Sequence, residues 1–130
     1  MRYAKTKYYN KKVVVDGIEF DSKKEGQRYR ELSLMQRAGK ITGLRLQVPF
    51  ELIPNQYETV TVQLKTKTKE VEKLVERKIE YIADFVYTDL ETGETVVEDV
   101  KGYKQGGAYA VFQIKRKLMF RVYGIKVKEI

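Results

Sequence analysis

Two β-rich segments that follow each other closely constrain the fold most: "KIEYIADFVY" and "VVEDVKGY", separated by the turn-like "TDLETGET". β-branched and aromatic residues favour strands, whereas Asp and Gly favour the connection between them, so the stretch predicts an antiparallel strand pair. A carboxylate interrupts each strand: Asp84 lies between Ala83 and Phe85, and Asp99 lies two residues before Lys101. Because Asp is depleted in strands, these two positions suggest a role other than folding.

Two registers of this strand pair are open. If the turn centres on residues 90–93, residues whose numbers sum to 183 face each other, and Asp84 lies opposite Asp99 with Cβ atoms about 5 Å apart. If the turn is only two residues long, the sum becomes 185 and Asp84 faces Lys101. Either register places all three side chains on one face, because side chains alternate along a strand. Glu98 then points to the opposite face and is not counted in the site.

Turn and cap signals predict the remaining elements. Asp16 and Gly17 predict a hairpin turn. Ser22, with Glu25 three residues later, predicts the start of a helix that Gly39 ends. We therefore expect an α/β (α+β) fold, in one domain over residues 1–130. The further expected segments are a basic arm over 1–12, an edge or bulged strand over 44–53, a protruding β-hairpin over 55–78 whose second half also has helical spacing, a helix over 108–124 and a last strand over 125–130.

Composition narrows the chemistry. The chain has no Cys and no His, which excludes disulfides, thiolate metal sites and imidazole-based catalysis. A metal ion would need oxygen ligands, which favours Mg²⁺, with Mn²⁺ expected to substitute for it. The net charge is +8, with many lysines beside tyrosines, so we expect a polyanionic partner. No apolar segment is long enough to cross a bilayer, and we expect a cytoplasmic protein without a membrane partner.

The acidic residues suggest a cation site. Two carboxylates placed this close repel each other unless a cation lies between them, and two carboxylates are a common protein share of a Mg²⁺ site. Lys101 would then orient or deprotonate a water molecule, or offset charge on a phosphate. In the first helix Tyr29, Leu32 and Met35 form an inward stripe, and one turn back this stripe reaches Glu25.

This order of residues resembles the PD-(D/E)xK nuclease superfamily: Glu25 on a helix, Asp84 on a strand, and Asp99-Val100-Lys101 on the next strand. Through "GIEFDSKKEGQRYREL", "YIADFVY" and "VVEDVKGY", the chain looks most like a small phage-encoded family of unassigned function within it. The resemblance covers residues 13–130. It implies a restriction-endonuclease-like core, in which a central mixed sheet is flanked by helices. It also implies Mg²⁺-dependent phosphodiester hydrolysis, four catalytic residues (Glu25, Asp84, Asp99 and Lys101) and a metal held by Asp84, Asp99 and Glu25.

Simpler roles exist for each residue. Glu25 fits a capping box, Lys101 could protect a sheet edge, and Asp99 with Lys101 could form a surface ion pair. For DNA contact we select three lysines, Lys104, Lys115 and Lys117.

The function expected from the sequence is a phage-type endodeoxyribonuclease that cuts branched DNA, as Holliday junction resolvases do, from a two-fold homodimer. The alternative is a non-catalytic nucleic-acid-binding module on the same fold. A third possibility is a structural phage protein whose acidic residues are merely on the surface.

Overall fold

A computed structural model describes residues 11–130, so most of the expected basic arm over 1–12 lies outside the described residues. Two helices and eight strands follow one another in these 120 residues. Their bounds are β1 Val13–Val15, β2 Ile18–Phe20, α1 Lys23–Arg37, β3 Ile41–Ile53, β4 Gln56–Gln63, β5 Thr68–Glu76, β6 Ile79–Asp89, β7 Thr95–Asp99, α2 Gly106–Tyr123 and β8 Lys128–Glu129.

The central sheet has the strand order β3-β6-β7-β8 and is mixed, as expected. β3, β6 and β7 pair in antiparallel fashion, whereas β8 returns after α2 and pairs with β7 in parallel. Each face of the sheet is covered by a helix. Leu32 of α1 packs in one apolar cluster with Phe85, and Phe112 and Met119 of α2 pack in another with Val97. The prediction of a central mixed sheet between helices is therefore confirmed.

The register of the carboxylate-bearing strands is the first of the two alternatives. Phe85 pairs with Glu98 and Thr88 with Thr95, so paired residue numbers sum to 183. The four-residue turn is stabilised by Asp89, whose Oδ1 accepts the N–H of Glu91 at 2.8 Å. The alternative register, in which Asp84 faces Lys101, is wrong because this side chain caps the longer turn.

Lys101 lies outside the strand on which it was expected, because β7 ends at Asp99. The N–H of Val100 donates to Asp84 Oδ2 at 2.8 Å rather than to a backbone carbonyl of β6. The carboxylate of Asp84 thus takes the place of the next ladder bond, and the chain leaves β6 at this point. Backbone bonds to β8 continue on the other side, where Lys101 N–H donates to the Ile130 carbonyl.

The turn and cap predictions are confirmed. Asp16 and Gly17 both have positive φ, 52° and 77°, as a tight hairpin turn between right-twisted strands requires. Ser22 caps α1 by accepting the N–H of Glu25, and Gly39, with φ of 77°, follows the end of that helix. The last strand is shorter than expected, with two residues in the ladder.

The segment over 55–78 is the expected hairpin and not a helix. β4 and β5 form a separate two-stranded sheet. β4 comes directly after β3 in the chain, and β5 comes directly before β6. β3 is an edge strand of the central sheet and carries two register shifts, as Pro49 suggested. Within the described residues, neither helix is both long and apolar enough to cross a membrane.

Candidate active site

Asp84 is the residue at which the site is assembled. Its neighbours Ala83 and Phe85 are fully buried, whereas Asp84 itself is half-buried at the point where β6 and β7 separate. Both carboxylate oxygens have donors: Oδ2 accepts the N–H of Val100 at 2.8 Å, and Oδ1 accepts the Gln47 side-chain amide at 3.1 Å. These two bonds fix the carboxylate plane between β7 on one side and β3 on the other.

Gln47 is a site residue that the sequence reasoning missed. Leu46 pairs with Phe85 and Val48 with Ala83, so Gln47 lies opposite Asp84. Its φ of 51° is unusual for a residue with a side chain. Strained backbone of this kind costs about 1–3 kcal/mol and concentrates at functional sites. Nothing local in "LRLQVPF" predicts this conformation.

Asp99 and Lys101 form a close ion pair next to Asp84. Lys101 Nζ lies 2.5 Å from Asp99 Oδ2 and 3.7 Å from the centre of the Phe112 ring. Both side chains are mostly buried, so this is not the surface pair of the simpler interpretation. Burial, together with the charge of Asp84, raises the pKa of Asp99 to about 6, although Lys101 opposes the shift.

One oxygen of this pair is poorly satisfied. Among residues 11–130, the partner of buried Asp99 Oδ2 is the Lys101 ammonium, and this contact lacks good hydrogen-bonding geometry. The hydroxyl of Tyr81 is likewise buried, and it interacts with the Asp99 carboxylate without good hydrogen-bonding geometry. Burial and the charges of Asp99 and Asp84 raise the pKa of Tyr81, so its phenol stays protonated. Buried polar atoms of this kind are uncommon and call for a ligand or a functional explanation.

Glu25 joins the cluster from the first turn of α1. Ser22 caps the helix through the Glu25 N–H, as the capping interpretation predicts, while the Glu25 side chain interacts with Asp84. Burial raises the pKa of Glu25 to about 7, helped by the charges of Asp84 and Asp21 and by a hydrogen bond with Asp84. The next residue, Gly26, permits α1 to pack closely against β1, since a Cβ there would lie 2.7 Å from Val13 Cγ2.

The donor set fits a hard cation in part. In the described part of the chain, no three acidic side chains form a preassembled metal-binding group. Mg²⁺ commonly takes one or two carboxylates and completes its octahedron with water. Asp84 and Asp99 face each other and together meet that smaller requirement. Glu25, the third expected ligand, interacts with Asp84 through a hydrogen bond.

Comparison with known proteins gives a family. The sequence model of a family described as "Protein of unknown function (DUF1064)" matches residues 5–129. The chain belongs to this family. No curated protein and no solved structure matches the chain. Membership in the DUF1064 family assigns no chemistry, which therefore has to be argued from the side chains.

Beneath the acidic cluster lies a second group that the sequence reasoning left out. Glu98 is fully buried on the α1 side of β7, opposite to Asp99. The Arg28 guanidinium donates to both oxygens of Glu98, at 2.7 Å and 2.6 Å. The Tyr87 hydroxyl donates to the same carboxylate. Since Arg28 is one turn after Glu25 and Glu98 is next to Asp99, this ion pair sets the position of α1 relative to β7. The one sequence feature that could have indicated this ion pair is Arg28, which lies on the same face of α1 as Glu25.

The three lysines selected for DNA contact do not lie together. Lys115 lines a shallow groove of about 270 Å³ that also contains Asp99 and Lys101. Lys117 instead lines a separate groove with Phe120. Lys104 is exposed, with its Nζ 4.0 Å from Glu129 Oε1. Of the three, Lys115 is the one placed beside the acidic cluster.

Proposed function

We propose that the protein is a metal-dependent endodeoxyribonuclease that hydrolyses phosphodiester bonds. The observation that carries the proposal is the convergence of Glu25, Asp84 and Asp99 from three separate elements, with Lys101 beside them. Burial, together with the charge of the neighbouring Asp84, raises the pKa of Glu25 and of Asp99 toward neutrality. Carboxyl groups whose ionised forms are unfavourable in this way are expected at a ligand-binding site. A cation together with a phosphate is the ligand that suits an acidic cluster with a lysine beside it.

Each residue has a part in the proposed reaction. Mg²⁺ held by Asp84 and Asp99 would supply Lewis-acid polarisation of a phosphate. Gln47 and the Val100 N–H orient the Asp84 carboxylate. Glu25, with a pKa of about 7, is able to accept a proton from water and return it near neutral pH. Lys101 faces the charge that develops on the phosphate as water adds to phosphorus and a bridging P–O bond breaks.

The substrate version that we favour is branched DNA in a phage recombination or processing role, cut by a two-fold dimer. A resolvase cuts two strands symmetrically, and two-fold symmetry is the simplest arrangement that does so. The acidic cluster lies beside a shallow groove rather than a deep pocket, which suits an extended polymer. The PD-(D/E)xK resemblance supports the same class of substrate. Sedimentation measured with and without a four-way junction tests the dimer.

A cleavage panel tests the proposal. Labelled four-way junction, flap, linear duplex and single-stranded DNA are incubated with Mg²⁺, Mn²⁺ or EDTA. We expect metal-dependent symmetric nicking of the junction by the parent and by Asp89→Asn, which changes the far end of the same strand. Asp84→Asn should lose at least about a hundredfold in rate. Cleavage of linear DNA instead would retain the nuclease and remove the junction role.

The second candidate is a non-catalytic nucleic-acid-binding module. The observation that favours it is that the acidic residues of the described chain form no ready three-carboxylate metal group. This candidate requires that no substrate is cut with any metal while Asp84→Asn binds DNA like the parent. Those two results together would contradict the nuclease proposal and support the binding module.

A further inference from the structure

The β4–β5 hairpin stands apart from the rest of the protein. Its strands pair with each other and not with the central sheet. Most of its side chains are exposed, including Val62 and Leu64 near the tip. An isolated two-stranded hairpin is marginally stable in water unless something packs against it. An exposed ribbon of this length therefore calls for a partner.

The two faces of this hairpin carry opposite charge. Directly paired residues share a face, and the register pairs Lys73 with Glu58, Val71 with Val60, and Lys69 with Val62. We call these six residues the basic face; Lys65 and Lys67 lie at its tip. The other face, here the acidic face, consists of Tyr57, Thr59, Thr61, Glu70, Glu72 and Leu74. Sequence alternation alone produces this separation, because lysines and glutamates fall on opposite parities of β5.

We propose that the basic face and tip of this hairpin bind double-stranded DNA by lying in its major groove. A groove about 12 Å wide admits a two-stranded β-ribbon. The lysines of this face and tip, Lys65, Lys67, Lys69 and Lys73, would reach phosphates along the groove walls, while the valines lie toward the base edges. The acidic face then points away from the polyanion, which fixes the side of the ribbon that approaches DNA.

DNA fits this surface better than two other occupants. Duplex RNA has a deep, narrow major groove that side chains do not read, so it would not admit the ribbon. A second copy that met this basic face with its own would bring like charges together. A copy that met it with its acidic face would make a head-to-tail contact, which produces rings or filaments rather than a two-fold dimer.

The hairpin is also connected to the candidate active site through its strands. β4 continues from β3, which carries Gln47, and β5 leads into β6, which carries Asp84. At the junction Asn55 Oδ1 accepts the N–H of Lys78 at 2.7 Å, which ties the two connections together. DNA held by the hairpin is thus held by the same strand pair that positions the acidic cluster. This inference rests on the proposed DNA substrate and not on its cleavage.

Binding without cleavage tests the inference. Anisotropy of a labelled linear DNA duplex is measured in EDTA over a series of salt concentrations. The double variant Lys69→Gln/Lys73→Gln should bind roughly tenfold more weakly, with a salt slope lower by about 2. The matched control Arg30→Gln/Arg37→Gln makes the same change in net charge at two exposed positions of α1 and should bind like the parent.

A site-specific probe reports contact directly. The chain has no cysteine, so Thr66→Cys at the hairpin tip takes a single environment-sensitive fluorophore. Duplex DNA should shift its emission, whereas a label on Thr92→Cys in the β6–β7 turn should not respond. The emission reports contact at the tip even if other surfaces of the protein also contribute to the affinity for DNA.

Four results would overturn the inference. The first two are parent-like affinity and salt slope in Lys69→Gln/Lys73→Gln, and an equal loss of affinity in the control variant. The other two are duplex RNA binding as tight as that of DNA, and dissociation of a dimer by the lysine substitutions when DNA does not shift the emission of the tip label. Its failure is distinguishable from failure of the nuclease proposal. Lysine-dependent DNA binding without any cleavage would remove the nuclease and retain the hairpin, and junction cleavage with unaltered binding by the lysine variant would do the reverse.

Discussion

At the residue scale, the site depends on how one carboxylate is held. Asp84 accepts hydrogen bonds from a backbone amide of β7 and from Gln47 of β3, and it interacts with Glu25 of α1. Each partner is fixed by a local feature: a strand that ends early, a left-handed residue and a capped helix start. The carboxylate is therefore oriented before any ligand arrives, as a preorganised site requires.

Gln47→Gly separates stability from activity. Glycine adopts positive φ without the penalty of a Cβ, so the variant should be equally or more stable, by up to about 1 kcal/mol. Loss of the amide donor to Asp84 should lower cleavage about tenfold or more. Urea denaturation and cleavage rates measure the two effects. Gln47→Asn, which also tolerates this backbone but is shorter, should lose activity as well; a fully active glycine variant would remove Gln47 from the site.

Glu25 makes the stability of the metal-free protein depend on pH. Its pKa rises from 4.5 to about 7 on folding, so the protonated form favours the fold. This contribution is complete below pH 4.5 and is lost as the pH rises through 7. In EDTA, the melting temperature of the parent should therefore fall relative to that of Glu25→Gln over this range. Glu31→Gln on the same helix is the control; a difference that stays constant with pH would contradict the assignment.

At the scale of elements, the buried Arg28–Glu98 pair connects α1 to β7 beneath the acidic cluster. The pair is a bidentate contact with Tyr87 as a third member, and its carboxylate is inaccessible to solvent. Such a pair contributes mainly by fixing geometry, since its Coulomb energy is offset by desolvation. Here it sets the distance between the helix that carries Glu25 and the strand that carries Asp99.

Arg28→Met should destabilise the protein by about 3–5 kcal/mol, because it leaves the Glu98 charge buried and unpaired. Glu31→Gln removes the more exposed partner of Arg28, at 2.8 Å, and should cost at most about 1 kcal/mol. Chemical denaturation of both variants measures the difference. Equal, small losses would show that Glu98 finds another partner or a proton when Arg28 is absent.

At the scale of the whole molecule, features with local signals could be predicted from the sequence. Asp16-Gly17, Ser22 and Gly124 marked a turn and two helix ends, and alternation marked the central strands. The choice between two registers needed the side chain of Asp89, whose capping role is visible only once the turn has formed. Gln47 and Glu98 were missed because their partners lie 37 and 70 residues away.

The proposed nuclease activity requires that the acidic cluster binds a divalent cation. The most direct measurement is titration of DNA-free protein with Mn²⁺, followed by the loss of the free-ion electron paramagnetic resonance signal. We expect the parent and Asp89→Asn to retain Mn²⁺ and Asp84→Asn to release it, with Mg²⁺ competing for the same site. Absence of Mn²⁺ binding by the parent, or equal binding by Asp84→Asn, would contradict the proposed active site.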